Sequence, residues 1–270
     1  MGKTKIKSER LYIATVCDDA KALAQKYSIG IELDQFCTAI NMDSPGFQSL
    51  DMEVKKLMEN SSDKFIFHAP FNELFPAAID PKILDIAYER YNQAFALAHG
   101  YGIEKMVVHS GYMPHVYFKV WHHEKSVKFW REFMKDKPAG FSICIENVLE
   151  DEPEMMADIA KELNSLQIKL CLDVGHANCM SKVPIKEWIK VMGPYLGHIH
   201  IHNNNSIYDY HAPIQEGDLN MEEILEDIEK YAPEDVTITI ESLDGASSLS
   251  WLDGSGYLEI GRNNDKARII

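Results

Sequence analysis

The chain has 270 residues, 46% of them hydrophobic, which is enough for the core of one large α/β domain. Its 42 acidic and 27 basic residues give a formal net charge of −15, which weighs against a broad basic face for nucleic acid, although a local patch stays open. Cys17, Cys37, Cys144, Cys171 and Cys179 are odd in number and form no close pairs, as reduced thiols of a cytoplasmic protein do. The basic start, MGKTKIKSER, is not followed by a signal-peptide apolar region, and no run is long and apolar enough to span a bilayer.

Short apolar runs alternate with longer amphipathic ones. Strands are predicted at 11–16, 30–34, 64–68, 105–109, 141–146, 168–173, 196–201 and 236–241, mostly rich in Ile, Val, Leu and aromatics, as strands buried on both faces are. Helices are predicted between them at 18–27, 45–60, 80–100, 117–136, 151–165, 184–192 and 219–233. The segment at 80–100 is the clearest, with Pro81 in its first turn, apolar residues three and four apart and Gly100 as a stop. This order predicts a parallel sheet, and eight strands are the number that closes a (β/α)8 TIM barrel. An open doubly wound sheet would carry a Gly-rich phosphate turn after an early strand, and none is found. One domain is expected over 1–270, with a barrel core at about 11–242 and a Gly- and Ser-rich tail at 243–270 whose last helix is short or irregular.

Six of the eight predicted strands finish on or just after a metal-type ligand. These are His68, His109, Glu146, Asp173 with His176 after it, His200 with Asp209 and His211 in its following loop, and Glu241. In a parallel barrel all strand C-termini open onto one face, so these nine groups would meet in one bowl. Four are carboxylates, and two such charges ~4 Å apart repel by about 4 kcal/mol at an effective dielectric of 20. Two or three divalent cations would remove that repulsion, and nine ligands exceed the four of one tetrahedral zinc. Taken singly, each group has a plainer explanation: a strand-end His is most often a hydrogen-bonded structural residue, and a lone Glu a cap or an ion pair. His198 and His202 flank His200 on the same side of the strand, where they line the bowl or support its ligands. His99, His115, His122 and His123 lie in helix or loop and read as structural, as do Cys179, Trp121, Trp130 and Trp188. None of the arginines, Arg10, Arg90, Arg131, Arg262 and Arg268, falls in these motifs.

The segments FHAPFNEL, VVHSG, IENV, LDVGHAN, HIHIHN, DYHAPIQEGDL and TIES, in this order, resemble the xylose isomerase-like TIM-barrel superfamily. That group holds sugar isomerases and epimerases together with abasic-site nucleases of the endonuclease IV type. The resemblance implies an enzyme dependent on one to three divalent ions (Zn, Mn, Co or Mg). It implies a metal quartet of Glu146, Asp173, His200 and Glu241, with His176 on metal or substrate. His68, His109, Asp209 and His211 then resemble the additional ligands of the trinuclear nuclease cluster. Two departures stand out: no Arg follows His200 as in the epimerases, and Asn203 and Tyr210 stand where the nucleases have Asp and Arg.

Two chemistries follow. One is isomerisation or epimerisation of a small sugar or sugar-like polyol, with Glu146 and Glu241 as base and acid and His176 and His202 touching substrate. The alternative is phosphodiester hydrolysis at abasic DNA, favoured by the nine ligands and disfavoured by the net charge. A homo-oligomer is compatible with either.

Overall fold

The structure, a computed structural model, describes residues 5–163 and 167–261. Residues 164 and 165 of the helix expected at 151–165, the end of the tail, Arg262 and Arg268 lie outside the described residues. A short strand, β1 (Ile6–Lys7), pairs in parallel with β10 (Leu258–Glu259). Between them β2 (Leu11–Ala14), β3 (Gly30–Leu33), β4 (Phe65–His68), β5 (Lys105–His109), β6 (Ser142–Glu146), β7 (Ile168–Asp173), β8 (Leu196–Ile201) and β9 (Thr237–Ile240) close a parallel barrel in chain order, β9 pairing with β2. The expected (β/α)8 barrel is therefore the observed one.

The described helices are α1 (Ala20–Tyr27), α2 (Phe47–Met58), α3 (Pro81–Gly100), α4 (Lys119–Met134), α5 (Glu154–Leu163), α6 (Val174–Met180), α7 (Ile185–Met192), α8 (Met221–Tyr231) and α9 (Gly245–Gly254). Asp80 caps α3 by accepting from the Lys82 amide at 2.8 Å, as a residue before an N1 proline often does. α6 was not foreseen. It begins directly after β7, where Asp173 accepts the His176 amide at 2.7 Å. The Gly- and Ser-rich tail forms α9, capped by Asp244 and held by fully buried Leu249 and Leu252. No described helix is long and apolar enough to cross a membrane.

Side chains alternate along each strand. One set, including Ile13, Ile31, Phe67, Ile145, Leu172, Ile199 and Ile240, packs in the main core with residues of the helices. The other set points into the barrel. There Tyr12, Ile66, Val107, Cys144 and Cys171 form a separate buried cluster, a plug below the polar strand ends.

The register between β7 and β8 decides what β8 presents. Leu170 pairs with Leu196, but Cys171 pairs with His198 and Asp173 with His200. Gly197 is the extra residue, and a one-residue shift exchanges the two faces of a strand. His198 and His200 thereby face the interior with Cys171 and Asp173, while Ile199 and Ile201 face the helices. Only glycine fits at the irregularity, because a Cβ there would lie 2.7 Å from Lys169 Cβ and 3.1 Å from Cys144 Sγ. Gly197→Ala is expected to lower the unfolding free energy by about 1–3 kcal/mol through overpacking, read from denaturant titrations. An unchanged midpoint would contradict this role.

Candidate metal centre

The nine groups named from the sequence meet at the C-terminal mouth of the barrel. Glu146 is at their centre, buried at 1% exposure. Its Oε2 lies 3.3 Å from His68 Nε2 and 3.4 Å from His109 Nε2. Its Oε1 lies 3.1 Å from His176 Nδ1 and 3.5 Å from His200 Nδ1. His200 Nδ1 also lies 3.3 Å from Glu241 Oε2 and 3.7 Å from Asp173 Oδ2. On the far side, Asp209 Oδ2 is 3.2 Å from His176 Nε2 and 3.5 Å from His211 Nε2. The groups thus divide into His68, His109 and Glu146; Glu146, Asp173, His200 and Glu241; and His176, Asp209 and His211, with Glu146 shared by the first two.

Several devices hold these groups in place. The Asn147 side chain accepts the Asp173 amide at 2.9 Å and donates to its carbonyl at 3.0 Å, so β6 fixes the end of β7. His109 stacks on Phe71 at 4.3 Å. Asp209 and His211 sit on a loop after β8 that is closed by the Asn203–Ala212 bridge. Asn203 donates to the carbonyls of Ile214 at 2.9 Å and Leu219 at 3.0 Å and accepts the Leu219 amide. An ionised carboxylate could not donate those two bonds, so Asn203 acts as the loop's anchor.

His202 is fully buried, bonded through Nε2 to Asp173 at 3.1 Å and stacked on His211 at 3.9 Å. Gly175 makes room for this ring, since a Cβ would lie 2.0 Å from His202 Cε1. His198 is fully buried and bonded to Glu32 at 3.0 Å rather than paired with a carboxylate of the nine groups. Glu32 and Asp34 are the residues that the sequence reading overlooked. Glu32 is 1% exposed and bridges His198 and His200. Asp34 follows β3 and accepts the Val16 amide at 3.0 Å.

Electrostatics at the mouth follow from burial and proximity. Burial alone would raise the Glu146 carboxyl, but the imidazoles of His109, His200 and His176 hold it well below the ordinary carboxylate range. Burial is not offset at Glu241, whose carboxyl is pushed up. Burial, with the charge of Glu32, raises Asp34 to about 7. Burial lowers His109 to about 3, so its ring is neutral and ready to ligate. Burial works against charge on His68 and His211 too, but Glu146 and Asp209 outweigh it and bring both to about 9.

A divalent cation fits this donor set. His200 Nδ1, His202 Nδ1 and Glu241 Oε2 are buried and have no hydrogen-bond partner among the described residues, which a bound cation would satisfy. Ligand atoms of His68, Glu146 and His200, and likewise of His176, Asp209 and His211, lie within 4.8 Å of one another.

Residues 12–259 match the family described as xylose isomerase-like TIM barrel. The chain belongs to this family. It is 29% identical over 206 residues to the uncharacterized protein MJ1311 of Methanocaldococcus jannaschii, covering 70% of this chain and 69% of that protein. Among solved structures of the family's fold, a D-tagatose 3-epimerase-like protein superposes with a TM-score of 0.72 at 23% identity, covering 91% of this chain and 96% of that one. The TTHB071 protein of Thermus thermophilus, soaked with ZnCl2, gives a TM-score of 0.70 at 21% identity, covering 91% and 97%. At these identities the structural likeness establishes the shared fold.

His68 and His211, whose imidazoles are raised to about 9, give cation binding at this mouth an expected pH dependence. Below that range they carry protons, which a cation must displace. Zinc or manganese uptake is expected to release protons near neutrality, and affinity to weaken as the pH falls from about 9 toward about 6. Chelator competition across that window checks this; a flat profile would contradict it.

Proposed function

We propose that the chain is a divalent-metal-dependent isomerase or epimerase acting on a small sugar or sugar-like polyol. The observation that carries this reading is the pair Glu146 and Glu241. They flank His200 Nδ1 at 3.5 Å and 3.3 Å, and their carboxyls are pushed in opposite directions, Glu146 down and Glu241 up. Two titratable groups driven apart by their surroundings are what an acid–base pair requires.

Glu146, Asp173, His200 and Glu241 would hold the cation, with Glu146 and Asp173 aligned by the pairing of β6, β7 and β8. A bound divalent cation would polarise adjacent substrate oxygens and so acidify the neighbouring C–H bond. One carboxylate takes the carbon-bound proton, leaving an enediolate of the substrate. The opposite carboxyl returns a proton, either to the other face of the same carbon, which epimerises it, or to the neighbouring carbon while a hydroxyl proton passes between the two adjacent substrate oxygens, which interconverts aldose and ketose. His176, held through Nδ1 on the Asn147 carbonyl at 3.0 Å, would offer Nε2 to metal or to a substrate hydroxyl in place of its present partner Asp209; His202, fully buried and bonded through Nε2 to Asp173, would orient that carboxylate. The ion pairs of the nine groups run among themselves and to Glu32 and His202, which suits a neutral substrate. The epimerase likeness of the structural relatives and the formal charge of −15 point the same way.

A second reading, metal-dependent phosphodiester hydrolysis at abasic DNA, is favoured by one observation. His68 and His109, and the separate set of His176, Asp209 and His211, supply places for cations beyond the quartet. Metal stoichiometry separates the two: one cation per chain favours the sugar chemistry and three favour hydrolysis.

With Mn²⁺ or Co²⁺ and a panel of ketoses in D2O, the wild-type protein is expected to incorporate solvent deuterium at the reacting carbon. Glu241→Gln is expected to lower kcat by about 100- to 10,000-fold. No exchange across the panel, together with nicking of an abasic duplex at low salt, would replace the first reading by the second.

A further inference from the structure

We infer that Glu32 is a positioning residue: it fixes the tautomer and orientation of His200, so that Nδ1 faces the mouth before a cation arrives. This inference rests on the metal reading given above. Layers inside such barrels are usually filled by branched apolar side chains. Here a carboxylate stands among them, in register with Ala14 on β2 and Ile66 on β4.

Both oxygens of Glu32 have hydrogen-bond partners. Its Oε1 lies 3.1 Å from His200 Nε2, and its Oε2 lies 3.0 Å from His198 Nε2. The Thr239 hydroxyl donates to Oε2 at 2.5 Å. An ionised carboxylate only accepts, so the Nε2 atoms of both imidazoles carry hydrogen. A neutral His200 with its hydrogen on Nε2 has a bare lone pair on Nδ1. That atom is the one 3.3 Å from Glu241 and 3.5 Å from Glu146, buried and without a hydrogen-bond partner among the described residues.

His198 serves as a brace for this carboxylate. With Nε2 on Glu32, its Nδ1 lies 2.6 Å from Thr237 Oγ1. Thr237 Oγ1 in turn accepts from Lys105 Nζ at 2.8 Å, and that ammonium also donates to the Gly197 carbonyl at 2.9 Å. Both ring nitrogens of His198 are therefore engaged, which excludes it as a ligand although it lies near Cys171 and His200. A polar column from Lys105 up the barrel axis ends on the ring of His200. Carboxylates that hold the second nitrogen of a ligating imidazole orient it and raise its basicity, and their loss typically weakens metal binding.

The test is competition titration with Zn²⁺ against a chromophoric chelator, on wild type and Glu32→Gln, paired with ¹⁵N spectra of the histidine side chains. Glu32→Gln keeps the shape and loses the charge, and is expected to bind Zn²⁺ about 10- to 100-fold more weakly. The zinc-loaded wild type is expected to show His200 with hydrogen on Nε2 and metal on Nδ1, a signature that a merely structural glutamate would not set. A folded Glu32→Gln with wild-type affinity overturns the inference, as does a zinc-loaded wild type with metal on Nε2. If Glu32→Gln does not fold, Thr239→Val, which removes one of the three donors, is expected to weaken Zn²⁺ binding while leaving the His200 tautomer in place; unchanged affinity there overturns it too. A wild type that takes up no Zn²⁺ overturns the metal reading itself, which the comparison of the two proteins distinguishes.

Discussion

The mouth of this barrel is governed by charge burial. Glu146, Asp173, Asp209 and Glu241 are brought within a few ångströms of the same imidazoles. Carboxylates so placed repel one another by about 4 kcal/mol per close pair at an effective dielectric near 20. Positive charge must offset this, whether as protons on His68, His176, His200 and His211 or as divalent cations in their place. The competition between proton and cation for the same nitrogen atoms links the pH behaviour, the metal affinity and the chemistry of the site.

The backbone supplies the geometry. Parallel strands deliver their C-terminal residues to one face, so groups far apart in sequence arrive together. Direct pairs in the ladder, His109 with Glu146 and Asp173 with His200, set neighbouring ligands side by side. The irregularity at Gly197 then turns His198 and His200 inward. Had β8 kept the register of Leu170 with Leu196, Ile199 and Ile201 would face the mouth in their place. A ligand set of this kind therefore depends on a glycine that carries no functional group.

Much of this was legible in the sequence. The eight strands lie where their apolar runs placed them, with β5, β7 and β8 matching their expected limits. The alternation of His and Ile in β8 and the polar strand ends gave away the mouth. Glu32 escaped notice because it lies inside its strand rather than at the end, though a charge in the short apolar run of β3 is itself a signal of an internal partner. Asp34 ended the predicted strand 30–34 in the same way as the residues that were recognised. α6 is seven residues long, contains Gly175 and begins directly after Asp173, a residue read as a ligand, so periodicity had too little length to act on. α9 has a weak intrinsic preference for helix and is held by the packing of Leu249 and Leu252, which no local pattern reveals. The bulge at Gly197 and the anchoring of the following loop by Asn203 are consequences of contacts across the barrel, invisible in one dimension.

The convergence of these side chains on a cation is tested most directly by anomalous diffraction from crystals grown or soaked with Zn²⁺, collected on both sides of the zinc edge. Expected is an anomalous peak within bonding distance of His200 Nδ1, shared by Glu146, Asp173 and Glu241; further peaks at His68 with His109, and at His176 with Asp209 and His211, would extend it to a cluster. A mouth that shows no peak in crystals whose solution binds zinc, or a peak only at sites away from the strand ends, would contradict it.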